Sequence, residues 1–438
     1  MKKALFLDPY NKKVIMKELT FSFRFLTPAF IGGANPQEDA SGRKAPTQDL
    51  NVHAELRPPS LRGSLRFWFR LLKGFSCSHM DVRKQEEYIF GSASQNGAGA
   101  SRFILRILPH EKSAVDMHGW TLNKPLQQED LESLSNEYPY ALFPLRNSSR
   151  AWFPPLETAW KAQVLIHEDT KIPQLVEGIE ALFTVWGHFG SLGFRSRRGF
   201  GAVSLETHGG DCLLSLSKAL DYFQRGKDFK NWIRVLSKDN HPKEYDNVSI
   251  AHHDLLEWLK SWRAHGQTCR YWDKKTNQWK KVPFEKIQKE MEKPGFPYAR
   301  RDHDEGLKVL RKSPSSGSQT FPIEGSEGET FRPALGLPII QNFTSFYPSE
   351  KVEWFPDRDH QHAQKGAGRF ASPVLLRPYR VLPTDSKFYG VVIFLEPYKW
   401  DESQPVYLNG EERKVSLKLY EQMKSDGSRL AVFPWGSL

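Results

Sequence analysis

Glycine and arginine crowd the stretch Phe189-Gly190-Ser191-Leu192-Gly193-Phe194-Arg195-Ser196-Arg197-Arg198-Gly199-Phe200-Gly201, which leads into the apolar run Ala202-Val203-Ser204-Leu205. Glycines allow positive φ and leave amide N–H groups uncovered, and closely spaced arginines offer forked donors that match phosphate oxygens. This composition can hold a phosphodiester backbone, with Arg195, Arg197, Arg198 and the amides of Gly193, Gly199 and Gly201 as candidate contacts. The preceding segment reads as a helix and the following one as a strand, the reverse of the strand–glycines–helix order of a Walker loop or dinucleotide fingerprint. No Gly-Lys-Ser/Thr is present, which argues against a nucleoside triphosphate site. The alternative is a glycine-rich helix stop whose arginines are simply solvated.

A second cationic cluster runs from Arg57 to Lys73. Ser60, after Pro58-Pro59, can cap a helix whose Leu61, Leu65, Trp68 and Leu72 share an apolar face. Arg62, Arg66, Arg70 and Lys73 fall on another face, and the segment has no acidic residue to offset them. Like charges four residues apart repel by roughly 0.2–0.5 kcal/mol per pair, so an anion is expected along this stripe. A solvated basic face, or a dock for an acidic protein, stays open.

Other chemistry-bearing groups do not assemble. Asp302-His303-Asp304-Glu305 on a loop or strand could not all face one ion, and His252-His253 and His360-Gln361-His362 stand isolated. No HExxH, GxSxG or DxDxDG occurs, so neither a catalytic residue, a metal site nor a cofactor is expected.

The elements that position the two clusters can be read from periodicity. Leu19, Phe21, Phe23 and Phe25 alternate with Thr20, Ser22 and Arg24, which predicts a half-buried strand over Leu19–Phe25. A helix at Leu61–Leu72, strands at Arg102–Leu108 and Trp160–Ile166, a helix at Leu175–Phe189 and a strand at Ala202–Glu206 follow. The order is βαββαβ, that of a ferredoxin-like or RRM-like sheet. RNP aromatic signatures are missing, so an RNA ligand would use loops and helices. The second half reads as helices at Leu213–Phe223, Phe229–Leu236 and His252–Trp262. A hairpin would follow, placing Trp272 and Trp279 near lysines, either to stack bases or to cover a core. Strands are expected at Val374–Leu376 and Tyr389–Leu395. Asn35–Asn51 reads as a surface loop, His110–Pro155 as an excursion and Ser313–Glu329 as disordered. The expected class is α+β, two ferredoxin-like domains with long insertions, at 1–210 and 211–438. The second is degenerate.

A net charge of +11 over 438 residues favours a polyanionic partner, nucleic acid before membrane. Cys77, Cys212 and Cys269 are too scattered for a disulfide framework or a CxxC knuckle, and no window reaches membrane-spanning length. The apolar run after Met1-Lys2-Lys3 is too short for a signal peptide, so a cytoplasmic location is expected.

Four places together resemble a known family. They are Phe25-Leu26-Thr27-Pro28-Ala29-Phe30-Ile31-Gly32-Gly33-Ala34; Glu55-Leu56-Arg57-Pro58-Pro59-Ser60-Leu61-Arg62-Gly63 with Leu65-Arg66-Phe67-Trp68-Phe69-Arg70; the stretch Gly190–Gly201; and Arg369-Phe370-Ala371-Ser372-Pro373. The combination resembles the RAMP superfamily of CRISPR effector subunits, most closely the first-numbered large RAMP subunit of the type III-B (Cmr) complex. The resemblance implies a pair of ferredoxin-like folds in a non-catalytic subunit near the 3′ end of the guide RNA. Its partners would be guide RNA, target single-stranded RNA and other Cmr subunits, in antiviral defence. The family also includes processing endonucleases that use a histidine near the first helix. His53 and His79 are the candidates for that alternative, neither with a motif around it. A pure protein-interaction subunit is the third reading.

Overall fold

The alternation in the first strand has a direct physical outcome in the computed structural model of this chain. A hairpin of β1 (Lys3–Leu7) and β2 (Lys13–Phe25) opens the fold, with Phe21, Phe23 and Phe25 buried beneath β2. The structure describes residues 3–7, 13–31, 54–92, 99–109, 121–122, 152–156, 159–167, 172, 174–206, 214–264, 270–273, 278–281, 283–310, 328–337, 339–343, 350–356, 370–381 and 385–435. The expectations for Asn35–Asn51, for Ser313 to Ser326 and for most of His110–Pro155 lie outside them.

Helix α1 (Pro58–Leu71) begins on its two prolines, where the missing N–H costs nothing. Its N-cap position is Arg57, without a side-chain cap, so Ser60 lies inside the first turn instead of capping it. Helix α2 (Val82–Phe90) is capped by Asp81, which accepts from the Lys84 amide at 2.9 Å. Strands β3 (Phe103–Pro109) and β4 (Ala159–His167), helix α3 (Leu175–Phe189) and strand β5 (Val203–Glu206) complete the set. Strand β2 is central, antiparallel to β4 on one edge and to β5 on the other, and β3 pairs with the far side of β4. The βαββαβ strands, numbered by order in the motif, therefore lie 4-1-3-2, the ferredoxin-like arrangement. Phe21 stacks on Phe183 of α3 at 4.3 Å, and Phe23 meets Trp186 edge-on at 5.1 Å. Each such buried aromatic contributes roughly 1.5–3 kcal/mol.

A second sheet repeats the serial order. Its strands are β6 (Ile233–Lys238), β7 (Val374–Tyr379), β8 (Phe388–Phe394) and β9 (Leu430–Val432); in chain order helix α4 (Val248–Trp262) falls between β6 and β7 and helix α5 (Lys418–Lys424) between β8 and β9, each among further elements. The strands lie β7-β8-β6-β9, again 2-3-1-4 in motif order. One expectation is corrected here, because Phe229–Leu236 is not a helix. A short helix ends at Lys230, and β6 buries Ile233 and Val235 on either side of half-buried Arg234. That two-residue period is satisfied by antiparallel pairing of Ile233 with Ile393 and Val235 with Val391, a partner distant in sequence. The helix read over Leu213–Phe223 shortens to Leu216–Asp221, with Ser215 as its cap.

The chain divides into two compact units, one of residues 1–256, 375–393 and 431–438 and the other of residues 257–374 and 394–430. The second unit holds a five-stranded sheet and the helix Phe296–Val309. That helix carries Asp302-His303-Asp304-Glu305, which are thus not on a loop or strand. Asp302 accepts from Thr330 Oγ1, from the Phe331 and Arg332 amides and from Arg332 Nε, all within 2.9 Å. Asp304 pairs with Arg300, and Glu305 with Lys308 and Arg413. The cluster fastens this unit together. Among the described residues no group of three or more His, Cys, Asp or Glu could hold a metal ion, and no helix is long and apolar enough to cross a membrane. The expected hairpin forms, with Trp272 opposite Trp279.

Candidate nucleic-acid interface

The glycine-rich stretch links α3 to β5 and is folded back on itself. Leu192 N–H donates to Gly201 O at 2.9 Å, Phe194 N–H to Phe30 O at 2.9 Å, and Arg198 N–H to Arg195 O at 2.7 Å. Thr27 ties both ends of the return, its hydroxyl donating to Gly199 O at 2.7 Å and accepting from the Ala202 amide at 3.0 Å. Glycine is required by shape at Gly201, where φ is +62° and a Cβ would lie 1.8 Å from Leu192 O. It is also required at Gly193, with φ of +96° and Phe30 O at 2.6 Å. The Gly201 amide donates to Pro28 O at 2.9 Å and that of Gly199 to Ser196 O at 3.3 Å. Those two N–H groups serve the loop's own fold, which corrects the expectation that they are held open for phosphate. The glycines set the path; Leu192 and Phe200 between them are buried, and the side chains of Phe194 to Arg198 are half-buried.

The loop is also gripped by residues nearly two hundred positions away. Arg377 on β7 is fully buried and donates through Nε to His188 O at 3.1 Å, and through Nη2 to Gly187 O and Val203 O, on the two elements that flank the loop. Burial lowers its guanidinium to about 9. Leu376 N–H donates to Arg197 O at 3.2 Å, and Arg198 O lies 2.7 Å from Nε2 of buried His252 on α4. His188 Nδ1 and the Tyr379 hydroxyl are 2.8 Å apart. Burial holds both histidines at about 4, against the opposing bond to Arg198 O in the case of His252, so both rings are neutral near pH 7. A neutral His252 facing a carbonyl carries its proton on Nε2. No feature of the sequence around His252 or Arg377 marked this role, because it depends on contacts closed only in the fold.

The arginine stripe of α1 has internal counter-groups, which corrects the expectation that none exists. Glu86 on α2 lies 3.7 Å from Arg66 Nη1 and 3.7 Å from Arg70 Nε. Arg66 also donates to Gly91 O and stands over the Phe90 ring. Arg62 donates to Phe90 O at 3.2 Å and Phe103 O at 3.3 Å, and lies 4.8 Å from the Phe103 centroid. Desolvation, then the neighbouring Arg66 charge, lowers its pKa. These three side chains bind α1 to α2 and β3. Arg70 keeps about half its surface in solvent, at 52%.

The loop and α1 meet at a groove of about 290 Å³. Arg197 stands with its guanidinium carbon 5.4 Å from the centroid of Phe67, a half-buried residue of α1. Ser60, Ser64, Ser191 and Ser196 line the same space. Ser64 Oγ accepts from Trp186 Nε1 at 3.1 Å, and Ser191 Oγ donates to Ser196 O at 3.2 Å, which fixes the floor. Arg195 lies over Phe194, and Arg195 and Arg198 are half-buried. The structure thus unites Arg197 and Gly193 in one groove with Phe67 and serines that the sequence reading left out. Their signal was present as Ser60, Ser64 and Phe67 at helical spacing on α1. His79 is exposed, whereas His53 and Arg369 lie outside the described residues.

The family model of the RAMP superfamily matches residues 22–204, from the end of β2 into β5 and including the loop. No curated protein matches the chain. Among solved structures, a chain of the "Cryo-EM structure of the Type III-B Cmr-beta bound to cognate target RNA" is similar at 11% identity. That match covers 95% of this chain and 99% of that one with a TM-score of 0.43. A chain of the "Type IV-B CRISPR Complex" is similar at 14% identity over 46% of this chain and 94% of that one, with a TM-score of 0.28.

Proposed function

We propose, from the match of residues 22–204 to the RAMP superfamily model, that the chain is a non-catalytic RNA-binding subunit of a type III-B CRISPR RNA-guided complex. It contacts guide or target RNA near the guide 3′ end and works beside other Cmr subunits. The observation that carries this reading is the groove. A loop that glycines force back against α1 sets Arg197, four serines and the Phe67 ring around one space, and among the described residues its lining holds no carboxylate. Forked cation, hydroxyls and an aromatic ring are the groups that hold single-stranded RNA. The net charge of +11 draws a polyanion toward it. Phosphate contact comes first from Arg197, with Arg195 and Arg198 beside it and Arg70 as an exposed extension. Arg62 and Arg66 support that track from beneath.

Filter binding of a single-stranded RNA across a salt series tests the reading. Each phosphate contact removed flattens the slope of log K against log salt by about 0.7, the expected result for Arg197→Ala. Binding too weak to measure at low salt, or an unchanged slope, overturns it. Incubating the protein with labelled RNA in EDTA leaves the RNA intact if the subunit is non-catalytic. Defined products lost in His79→Ala would reject that part.

A further inference from the structure

Resting on the RNA-binding reading, the geometry points to more than a phosphate track. We propose that the groove between α1 and the loop is a subsite for one unstacked ribonucleotide, its base against Arg197–Phe67 and its 2′-hydroxyl on serine. Size is the first argument. At about 290 Å³ the groove lies just under the usual range of ligand pockets, roughly 300–1,000 Å³, which suits a single nucleotide and not a duplex.

The lining is the second argument. A guanidinium stacked on a ring keeps its N–H donors in its own plane while its outer face stays apolar enough to receive a base. Arg197 over Phe67, both in the groove lining, therefore gives a base a guanidinium–aromatic pair to lie against. Ile31 and Leu375 add apolar wall. Ser64 and Ser191 have their hydroxyls committed to Trp186 and Ser196 O, but among the described residues the Ser60 and Ser196 hydroxyls make no hydrogen bond. A hydroxyl both donates and accepts, as does a ribose 2′-hydroxyl, and that group is what separates RNA from DNA at a protein site.

The third argument is rigidity. The loop wall is pinned from behind by the Leu376 amide on Arg197 O and by His252 on Arg198 O. A pre-shaped site loses less on ordering a nucleotide than a mobile loop would.

The test compares equilibrium binding of three oligonucleotides of one sequence, RNA, DNA and 2′-O-methyl RNA, by the full-length protein and its variants. The expected result is about tenfold tighter binding of RNA than of the other two, the scale of one hydrogen bond. Ser60→Ala with Ser196→Ala should erase that preference at an unchanged salt slope. Phe67→Leu should weaken RNA binding by about five- to a hundredfold at an unchanged slope, with Phe67→Tyr restoring it. Arg197→Lys should keep the slope and lose affinity, since charge remains and the plane does not. A 2-aminopurine placed along the RNA should show one position of altered fluorescence that Phe67→Leu abolishes. Thermal unfolding of each variant guards against misfolding. Equal affinity for RNA and DNA, with no effect of Phe67→Leu, overturns the nucleotide subsite while the Arg197 slope leaves RNA binding standing. No binding of any oligonucleotide by the wild type overturns both.

Discussion

Acid should loosen the support behind the candidate interface, and by an amount the structure sets. His188 and His252 are buried and held near pKa 4, whereas an unfolded histidine titrates near 6.5. The unfolded chain thus takes up protons first as pH falls, so stability is fully present above about 6.5 and is lost progressively toward 4. For one histidine the loss between pH 7 and pH 5 comes to about 2 kcal/mol, and the pair reaches about 4 kcal/mol. Against a typical stability of about 5–15 kcal/mol this is a large share. The assay is urea unfolding followed by tryptophan fluorescence at pH 7 and pH 5, with the slope against urea checked for constancy. Carboxylates elsewhere also respond to acid, so the informative comparison is with His252→Gln. Its amide can still donate to Arg198 O but cannot titrate. The variant should lose about 2 kcal/mol less than the wild type over the same interval. Equal losses in the two proteins would refute the claim that His252 is buried neutral against that carbonyl.

Other expectations follow from the same contacts. Gly201→Ala forces a Cβ to 1.8 Å from Leu192 O at positive φ. The loop must shift, so RNA affinity should drop while the βαββαβ core, read by far-UV circular dichroism, stays intact. Asp302→Ala removes a buried carboxylate from Arg332 and from two buried amides, costing about 3–5 kcal/mol in urea unfolding of the second unit. Glu86→Gln removes the counter-charge of Arg66 and Arg70. It should tighten RNA binding at low salt by a few-fold and lose that gain near 0.5 M salt, where the Debye length shrinks to a few ångströms.

Much of the first fold was legible because its signals are local. The alternation of Leu19 to Phe25, the apolar faces of Leu61–Leu72 and Leu175–Phe189 and the βαββαβ order depend on side-chain period, and tertiary packing reinforces them. The second fold was less so. Val374–Leu376 and Tyr389–Leu395 announced themselves as apolar runs, but Phe229–Leu236 has an apolar content that suits either period. Only its pairing with Val391 and Ile393 made Ile233–Lys238 a strand.

The arginines show the same division. Sequence determined that Arg62, Arg66, Arg70, Arg195, Arg197 and Arg198 lie in two segments without acids, and that glycines bend the second. It could not determine which guanidinium groups reach outward, because Glu86 and the carbonyls of Phe90 and Phe103 come to α1 only when α2 and β3 pack beside it. The loop's path was likewise decided by Arg377 and His252, each more than fifty residues from the glycines it supports. Charge and period are properties of neighbours along the chain, whereas a counter-charge or a buried donor is a property of neighbours in space, and folding alone brings those together.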